Sequence, residues 1–438
     1  MTATTTATTT TTASTITENA ATDEEVSSAA DIGALTGETR TGADRGQPRF
    51  AARTKAYGGS SIWTDILGLL KQHPDPIYFG DGSPAREAIP LDLMQEASQK
   101  VWANALDVLA YGDQQGVPAL REVIARRMDR LGTQVDASEV LVTAGSTQGI
   151  ELACRVFLDP GDVVIVEEPT FLGALETFAT YEATIVGVPV DEHGMDMDAL
   201  AEVLAREPRA KLIYTIPTFH NPTGITMPVE RRQRLVDLAR EHNVVILEDD
   251  PYVELRYDGA ATPAVKALDH RVVYLGTFSK TIAPGIRTGW VAAPSDILAM
   301  MLSAREVMDI SNDRITQRTV LESARTELDE RIVRAREIYR PRRDAMLAAL
   351  AEYMPEEVTW SQPEGGFFIW ITLPASFNVD TFADAAAAHG TVFFPGDWFY
   401  HDKSGKNRIR LSFSTVTPER ITEGVRRLGD AVRAELYG

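Results

Sequence analysis

The 438-residue sequence contains a single cysteine and few lysines, and it has no long apolar run. One cysteine excludes an intramolecular disulfide framework and any cysteine-rich zinc or iron–sulfur site. Because Cys154 lies in the apolar stretch ELACRVFL, we interpret it as a small buried core residue. No apolar segment is long enough to span a bilayer, and no secretory signal pattern opens the chain. We therefore expect a cytoplasmic protein without a metal site.

Positive charge is also scarce, since the chain has 63 Asp and Glu residues but only 43 Lys and Arg, and its formal net charge is −20. This charge disfavours nucleic acid and anionic membranes as partners, and we expect neither. Residues 1–48 are poor in large apolar side chains, and eleven of the first twenty are Thr. Such a segment cannot bury enough surface to offset its ordering entropy. We predict that residues 1–48 are a disordered tail, too short and polar for a DNA-binding module.

The rest of the chain alternates between short β-branched runs and amphipathic helical patterns. This alternation predicts an α/β fold, a wound and mostly parallel sheet with helices on both faces. A long charged helix from about residue 325 leads into a smaller α+β region. We expect an arm over 49–90, a large domain over 91–325 and a small domain over 326–438. The predicted strands are 140–145, 163–169, 184–190, 211–217, 244–250, 272–279, 289–294, 367–373 and 408–414.

Chemically informative residues follow several of these strands, where ligands bind in a wound sheet. Residues 145–149 (GSTQG) open a helix and can surround an anion with backbone N–H groups. Residues 220–224 (HNPTG) also suit a plain turn. The consecutive acids 248–250 need partners, because an unpaired buried charge is costly. Lys280, directly past a buried strand, is of the type that forms a Schiff base with an aldehyde.

Each feature alone has a structural explanation, but the combination matches one cofactor. Pyridoxal phosphate (PLP) needs a lysine for its aldehyde, a carboxylate for its pyridine nitrogen and an anion site for its phosphate. Lys280, Asp249 and the glycine-rich turn supply these groups, and Arg287 lies close to the lysine in sequence. The sequence therefore predicts a PLP site.

With these residues the sequence resembles the fold-type I PLP enzymes of aminotransferase class I/II. The nearest branch contains aminoadipate-type and valine-type aminotransferases and the catalytic half of MocR regulators. The resemblance covers about residues 55–436 and rests on nine motifs in the family's order. They are Y-G-x-x-x-G-x-x-x-L-R (111–121), G-S-x-Q (145–148), E-P-T-F (168–171), N-P-T-G (221–224), E-D-D-P-Y (248–252), F-S-K-x-x-x-P-G-x-R (278–287), P-x-G-G (363–366), P-G-x-x-F (395–399) and R-L-S-F (410–413).

The resemblance implies a role for each matching residue. Lys280 would bind the cofactor and move a proton, and Asp249 would pair with the pyridinium nitrogen. Asn221 and Tyr252 would hydrogen-bond its phenolic oxygen, and Phe171 would stack on its ring. The phosphate would be held by Ser146, Thr147, Gln148, Thr277, Ser279 and Arg287. Tyr111 would reach the phosphate of the neighbouring subunit, which implies a homodimer.

The substrate residues implied by the resemblance are Arg410, as the α-carboxylate clamp, together with Gly82, Asn221 and Trp63. Relatives that take acidic side chains often carry Arg where this chain has Trp63. We therefore expect a neutral, apolar or aromatic amino donor, although Trp63 can equally pack the arm against the core. Arg86 lies nearby in a second gate loop.

The sequence departs from the family pattern at Thr147, at Phe171 and over the charged segment 311–317. Asp313 in that segment can contact substrate or simply pair with Arg314.

The implied activity is transfer of an amino group from an L-amino acid to a 2-oxo acid, in two stages through pyridoxamine phosphate. The alternative is a PLP-dependent lyase, decarboxylase or oxidase on the same scaffold, because a fold does not fix the reaction. A ligand-sensing regulator is a third possibility. It would need an N-terminal winged helix, which residues 1–48 are not expected to form.

Overall fold

The computed structural model describes residues 50–57 and 61–438, without the side chains of Ala52, Tyr57, Ser61 and Trp63. The tail predicted over 1–48 lies outside the described residues. The α-helices are α1 Ser61–Leu70, α2 Leu91–Ala103, α3 Leu106–Leu109, α4 Pro118–Arg130, α5 Ser146–Phe157, α6 Leu172–Thr180, α7 Met197–Arg206, α8 Val229–Glu241, α9 Ser295–Glu306, α10 Arg314–Arg325, α11 Leu328–Tyr353, α12 Val379–Ala388 and α13 Pro418–Tyr437.

The strands are β1 Ile77–Tyr78, β2 Val140–Thr143, β3 Val163–Glu168, β4 Thr184–Asp191, β5 Gly194–Met195, β6 Ala210–Thr215, β7 Val245–Asp249, β8 Val273–Thr277, β9 Gly289–Ala292, β10 Thr359–Trp360, β11 Phe368–Thr372, β12 Thr391–Val392, β13 Phe394–Pro395 and β14 Arg408–Ser412. Short 3₁₀ helices span Ala52–Tyr57, Arg86–Ala88, Ala137–Glu139, Val265–Ala267, Pro284–Ile286 and Gly396–Phe399. All nine predicted strands are confirmed, with ends within two residues of the prediction.

The large sheet has eight strands in the order β2-β9-β8-β7-β6-β3-β4-β5. Strands β8, β7, β6, β3 and β4 run parallel to one another. Strand β9 lies antiparallel between β8 and β2, and β5 pairs antiparallel with β4. The predicted wound, mostly parallel sheet is thus confirmed, and its parallel strands end along one edge.

Burial on both faces explains why these strands are apolar throughout. Every residue of β2 and of β8 is buried. Helix α5 buries Ile150, Leu152 and Cys154 in one cluster with residues of the sheet. Cys154 is fully buried, which confirms its interpretation as a core residue, and burial raises the pKa of its thiol. No helix in the described part of the chain is long and apolar enough to cross a membrane.

A smaller antiparallel sheet, in the order β10-β11-β14-β13, contains the last predicted strands. Residues of α11 and α13 pack in one core cluster with this sheet. An N-terminal segment joins the same unit, because β1 pairs in parallel with β12 and the Ser412 N–H donates to the Phe79 carbonyl at 2.6 Å. The residues that follow β1 are thereby held beside β14.

Candidate active site

A cavity of about 390 Å³ lies where β2, β3, β6, β7 and β8 end, and residues of both sheets line it. Twelve of the predicted site residues line this cavity. They are Gly82, Ser146, Thr147, Phe171, Asn221, Asp249, Tyr252, Thr277, Ser279, Lys280, Arg287 and Arg410. Gln148 and Tyr111 are not among its lining residues. The side chain of Trp63, the remaining predicted residue, lies outside the described residues.

Lys280 follows the buried end of β8 and projects into the cavity. Its Nζ donates a hydrogen bond to the Gly82 carbonyl at 3.0 Å and lies 5.6 Å from the centre of the Tyr252 ring. Burial, followed by the positive charge of Arg410, lowers the pKa of Lys280 to about 8, against the opposing effects of Asp81 and Asp249. A larger fraction of this amine is therefore unprotonated near neutral pH than for an exposed lysine, as a nucleophile requires.

Asp249 is the last residue of β7, and one of its two carboxylate oxygens has no partner. Oδ2 accepts a hydrogen bond from the Tyr214 hydroxyl on the adjacent strand at 2.9 Å. Oδ1 is buried and makes no hydrogen bond among the described residues. Burial raises the pKa of Asp249 to about 6, and the Tyr214 hydrogen bond and Lys280 partly offset this rise. An unpartnered buried carboxylate oxygen on a cavity wall suits a protonated ring nitrogen.

The other two consecutive acids have structural partners. Glu248 accepts hydrogen bonds from the backbone N–H groups of Val265 and Lys266, each at 2.8 Å. Asp250 accepts one from the Tyr274 hydroxyl at 3.3 Å, and burial raises the pKa of Asp250 to about 8. Of the three acids, only Asp249 lines the cavity.

An anion cradle lies at the start of α5. Gly145 has φ +84°, and a Cβ added there would lie 2.5 Å from the Arg287 guanidinium. The positive φ favours glycine, and a side chain here would displace the guanidinium from the helix start at Ser146. The Thr277 hydroxyl donates to the Ser279 hydroxyl at 2.9 Å on the same wall. Hydroxyls, a helix N-terminus and a guanidinium together suit a phosphate group.

Gln148 is not among the lining residues of the cavity, and its contact with phosphate stays a prediction. Its Oε1 accepts a hydrogen bond from the Ala144 N–H at 2.8 Å, and its Nε2 donates to Asp309 at 2.6 Å. Gln148 fixes the turn that precedes α5 to the segment after α9. The Tyr111 side chain is 87% exposed and does not line the cavity of its own chain.

Arg410 on β14 forms the opposite wall. It donates to Asn221 Oδ1 at 2.9 Å and to the Gly80 carbonyl at 2.7 Å, whereas its Nε is buried without a partner in the described structure. Burial lowers the pKa of Arg410 to about 10, so the side chain remains cationic at neutral pH. Its guanidinium carbon lies 4.2 to 4.9 Å from the centres of three rings, those of Phe368, Phe394 and Phe399. A buried cation with a free donor suits a carboxylate ligand.

Sequence reasoning missed several residues of this site. Tyr214 holds Asp249 from the neighbouring strand, Asp81 lines the cavity between two glycines, and the apolar lining includes Leu172, Ile216, Phe368 and Phe394. Only Asp81 carried a usable signal, since an acid in the turn sequence GDGSP requires a partner or a function. The others resemble ordinary core residues in sequence.

The family model described as aminotransferase class I and II matches residues 78–428. The chain belongs to this family. It is 40% identical to aromatic-amino-acid aminotransferase 1 of Thermococcus litoralis over 85% of this chain and 92% of the relative. It is 36% identical to the 2-aminoadipate transaminase of Thermus thermophilus over 85% and 94%. The crystal structure of a multiple substrate aminotransferase from Thermococcus profundus matches with a TM-score of 0.84 and 39% identity, over 88% of this chain and 98% of that one.

This class I/II aminotransferase is a PLP-dependent enzyme, and its cavity fits that cofactor. Bound PLP supplies an aldehyde that captures an amine and a ring that accepts electrons from the substrate α-carbon. The residues that fit it are the amine of Lys280, the unpartnered Oδ1 of Asp249 and the cradle at Gly145.

Proposed function

We propose that this aminotransferase transfers the α-amino group of a neutral L-amino acid, apolar or aromatic, to a 2-oxo acid. The proposal rests on one observation: the cavity combines one buried guanidinium, that of Arg410, with apolar lining residues. Arg410 offers its free Nε to an α-carboxylate, while Leu172, Ile216 and Phe394 offer apolar surface to a side chain. The relatives named for aromatic and for multiple substrates are consistent with this choice.

In this proposal each polar residue holds or moves a defined group. Lys280 moves the proton at the substrate α-carbon, for which its pKa of about 8 is well matched to neutral pH. The free Oδ1 of Asp249 would pair with the ring nitrogen of PLP and keep it protonated. Burial raises the pKa of Tyr252, so its hydroxyl stays protonated and would donate to the phenolic oxygen. Phe171 would cover the ring, and Asn221 orients Arg410 through their 2.9 Å hydrogen bond.

A single-turnover experiment tests this function. Holoenzyme is mixed with one L-amino acid at a time, and the cofactor absorbance is followed together with 2-oxo acid release and oxygen consumption. We expect stoichiometric release of the 2-oxo acid without oxygen consumption, fastest with apolar and aromatic donors. Oxygen uptake, release of carbon dioxide, or turnover without an aminated cofactor would instead establish the alternative lyase, decarboxylase or oxidase chemistry.

We also propose that the active unit is a homodimer. Four large apolar side chains, here called the patch, are exposed: Leu106, Leu109, Tyr111 and Val307, at 87%, 59%, 87% and 82%. Arg314 donates to the Tyr111 carbonyl at 3.3 Å and so ties this residue to α10. Large exposed apolar side chains that form a patch mark an interaction site. A second copy covering the patch would bring Tyr111 to the partner's phosphate.

Two variants separate assembly from cofactor binding. Leu106→Asp combined with Leu109→Asp should yield monomers, because charge on the patch opposes burial. Tyr111→Phe should keep the dimer and weaken PLP binding by about tenfold, the value of one hydrogen bond to a charged group. Light scattering reports the mass, and a titration of apoenzyme with PLP reports the affinity. A dimer that persists in the double variant would contradict the proposed interface.

A further inference from the structure

The segment Gly80-Asp81-Gly82 lies between the two cations of the cavity. The Gly80 carbonyl accepts from Arg410 at 2.7 Å, and the Gly82 carbonyl accepts from Lys280 at 3.0 Å. Asp81 is the residue between these two carbonyls, and it lines the cavity. A molecule bound to both Arg410 and Lys280 would therefore lie next to the segment that carries Asp81.

The backbone around Asp81 is held in place from two sides. The Ser414 hydroxyl contacts the carbonyls of Ser83, at 2.7 Å, and of Asp81, at 3.3 Å. Asp81 Oδ1 accepts from the Ser83 N–H at 2.8 Å, which closes a local turn. These hydrogen bonds hold the Asp81 carboxylate in one position on the cavity wall.

The charge of Asp81 acts on both cations of the site. It raises the pKa of Lys280 and that of Arg410, in each case against the larger effect of burial. Asp249, the other acid in the lining, is engaged by Tyr214 and lies at the end of β7. Asp81 is therefore the acid on the side of the cavity where Arg410 stands.

We propose that Asp81 is a specificity-determining residue that excludes substrates carrying a side-chain carboxylate. The inference rests on the proposed function, since it assumes an amino acid with its α-carboxylate on Arg410 and its α-carbon near Lys280. In that position the first side-chain carbons lie beside the fixed negative charge of Asp81. Because the amino donor and the 2-oxo acid acceptor share one site, the favoured substrates of both kinds carry a neutral side chain.

The test compares substrates of equal shape that differ by one charge. The specificity constant kcat/KM is measured for L-glutamate against L-glutamine, and for L-aspartate against L-asparagine, in the holoenzyme and in Asp81→Asn. Asparagine keeps an oxygen for the Ser83 N–H and removes only the charge. We expect the variant to raise the glutamate-to-glutamine ratio by about 10- to 50-fold, the size of one charge repulsion at several ångströms in a partly buried site. General effects of the variant on Lys280 cancel in the ratio.

A control variant and a binding measurement keep the result interpretable. Asp198→Asn removes the same charge from the exposed first turn of α7 and should leave the ratio unchanged. Glutarate and its monoamide are also titrated as non-reacting ligands, with the dissociation constant as the readout. Glutarate should gain affinity relative to its monoamide in Asp81→Asn, a result that does not depend on turnover. Unchanged ratios in both assays would overturn the role of Asp81, whereas absence of transamination with every donor would overturn only the proposed function.

Discussion

Replacing Lys280 with Ala should lower kcat by a factor of at least about 10⁴, because one amine serves as both covalent anchor and proton carrier. The phosphate cradle and the free Oδ1 of Asp249 remain, so PLP should still bind, but not covalently. Steady-state kinetics give kcat. Borohydride reduction followed by mass spectrometry shows whether the cofactor is fixed to the protein, and we expect no fixed cofactor in the variant.

Lys266 provides a matched control for this experiment. It is also buried, burial lowers its pKa to about 8 as well, and its Nζ donates to the His270 carbonyl at 2.6 Å. It lines a separate cavity with Glu139 and His270. Lys266→Ala should keep both the fixed cofactor and the activity. Reductive fixation of PLP in Lys280→Ala that disappears only when Lys266 is also replaced would show that Lys280 is the wrong lysine.

Replacing Arg410 with Met should lower kcat/KM for L-amino acids by a factor of about 10² to 10⁴. The variant removes one partner of a buried hydrogen-bonded charge pair, the Arg410 guanidinium with its free Nε, and such a loss costs about 2–5 kcal/mol. Methionine is apolar and fits among the rings of Phe368, Phe394 and Phe399. The affinity for PLP, measured by titration of the apoenzyme, should stay within about threefold of the wild-type value, because Arg410 does not belong to the phosphate cradle.

A substrate without a carboxylate isolates this role of Arg410. With a primary amine such as 1-phenylethylamine, the wild type and Arg410→Met should show similar slow rates of cofactor amination. Arg420→Met serves as the control, since Arg420 is partly exposed on α13, away from the cavity, and pairs with Asp75 at 2.7 Å. An equal loss of kcat/KM for the amine and for phenylalanine would mean that Arg410 supports the structure of the site and not the carboxylate.

The larger elements of the fold followed from the sequence because their patterns are long. Strands such as Val163–Glu168 and Val273–Thr277 are runs of apolar residues whose sides are both covered by helices. The two-residue strands Ile77–Tyr78 and Phe394–Pro395 were not predicted. A two-residue strand is too short to show an alternating pattern in the sequence, and its pairing depends on tertiary contacts with distant segments of the chain.

The candidate site followed from the sequence only where a residue type is unusual in its place. Lys280 after a buried strand and Asp249 within three acids were both identified, and both line the cavity. Tyr214 was missed because a tyrosine in a strand is ordinary, and its contact with Asp249 depends on the order of β6 and β7. The side-chain hydrogen bonds of Gln148 with Ala144 and Asp309 were also missed, because a linear motif does not give the direction of a side chain.

The contact between Arg410 and the Gly80 carbonyl joins positions 330 residues apart. A ribosome adding about 5–20 residues per second needs roughly 20–70 s to synthesise that interval. Throughout this time the segment after β1 has been made but lacks the strand beside which it finally lies. Substrate binding therefore cannot begin on a nascent chain, even one whose large sheet is complete. In refolding of the full chain, recovery of the α-carboxylate site reports formation of this contact between distant segments.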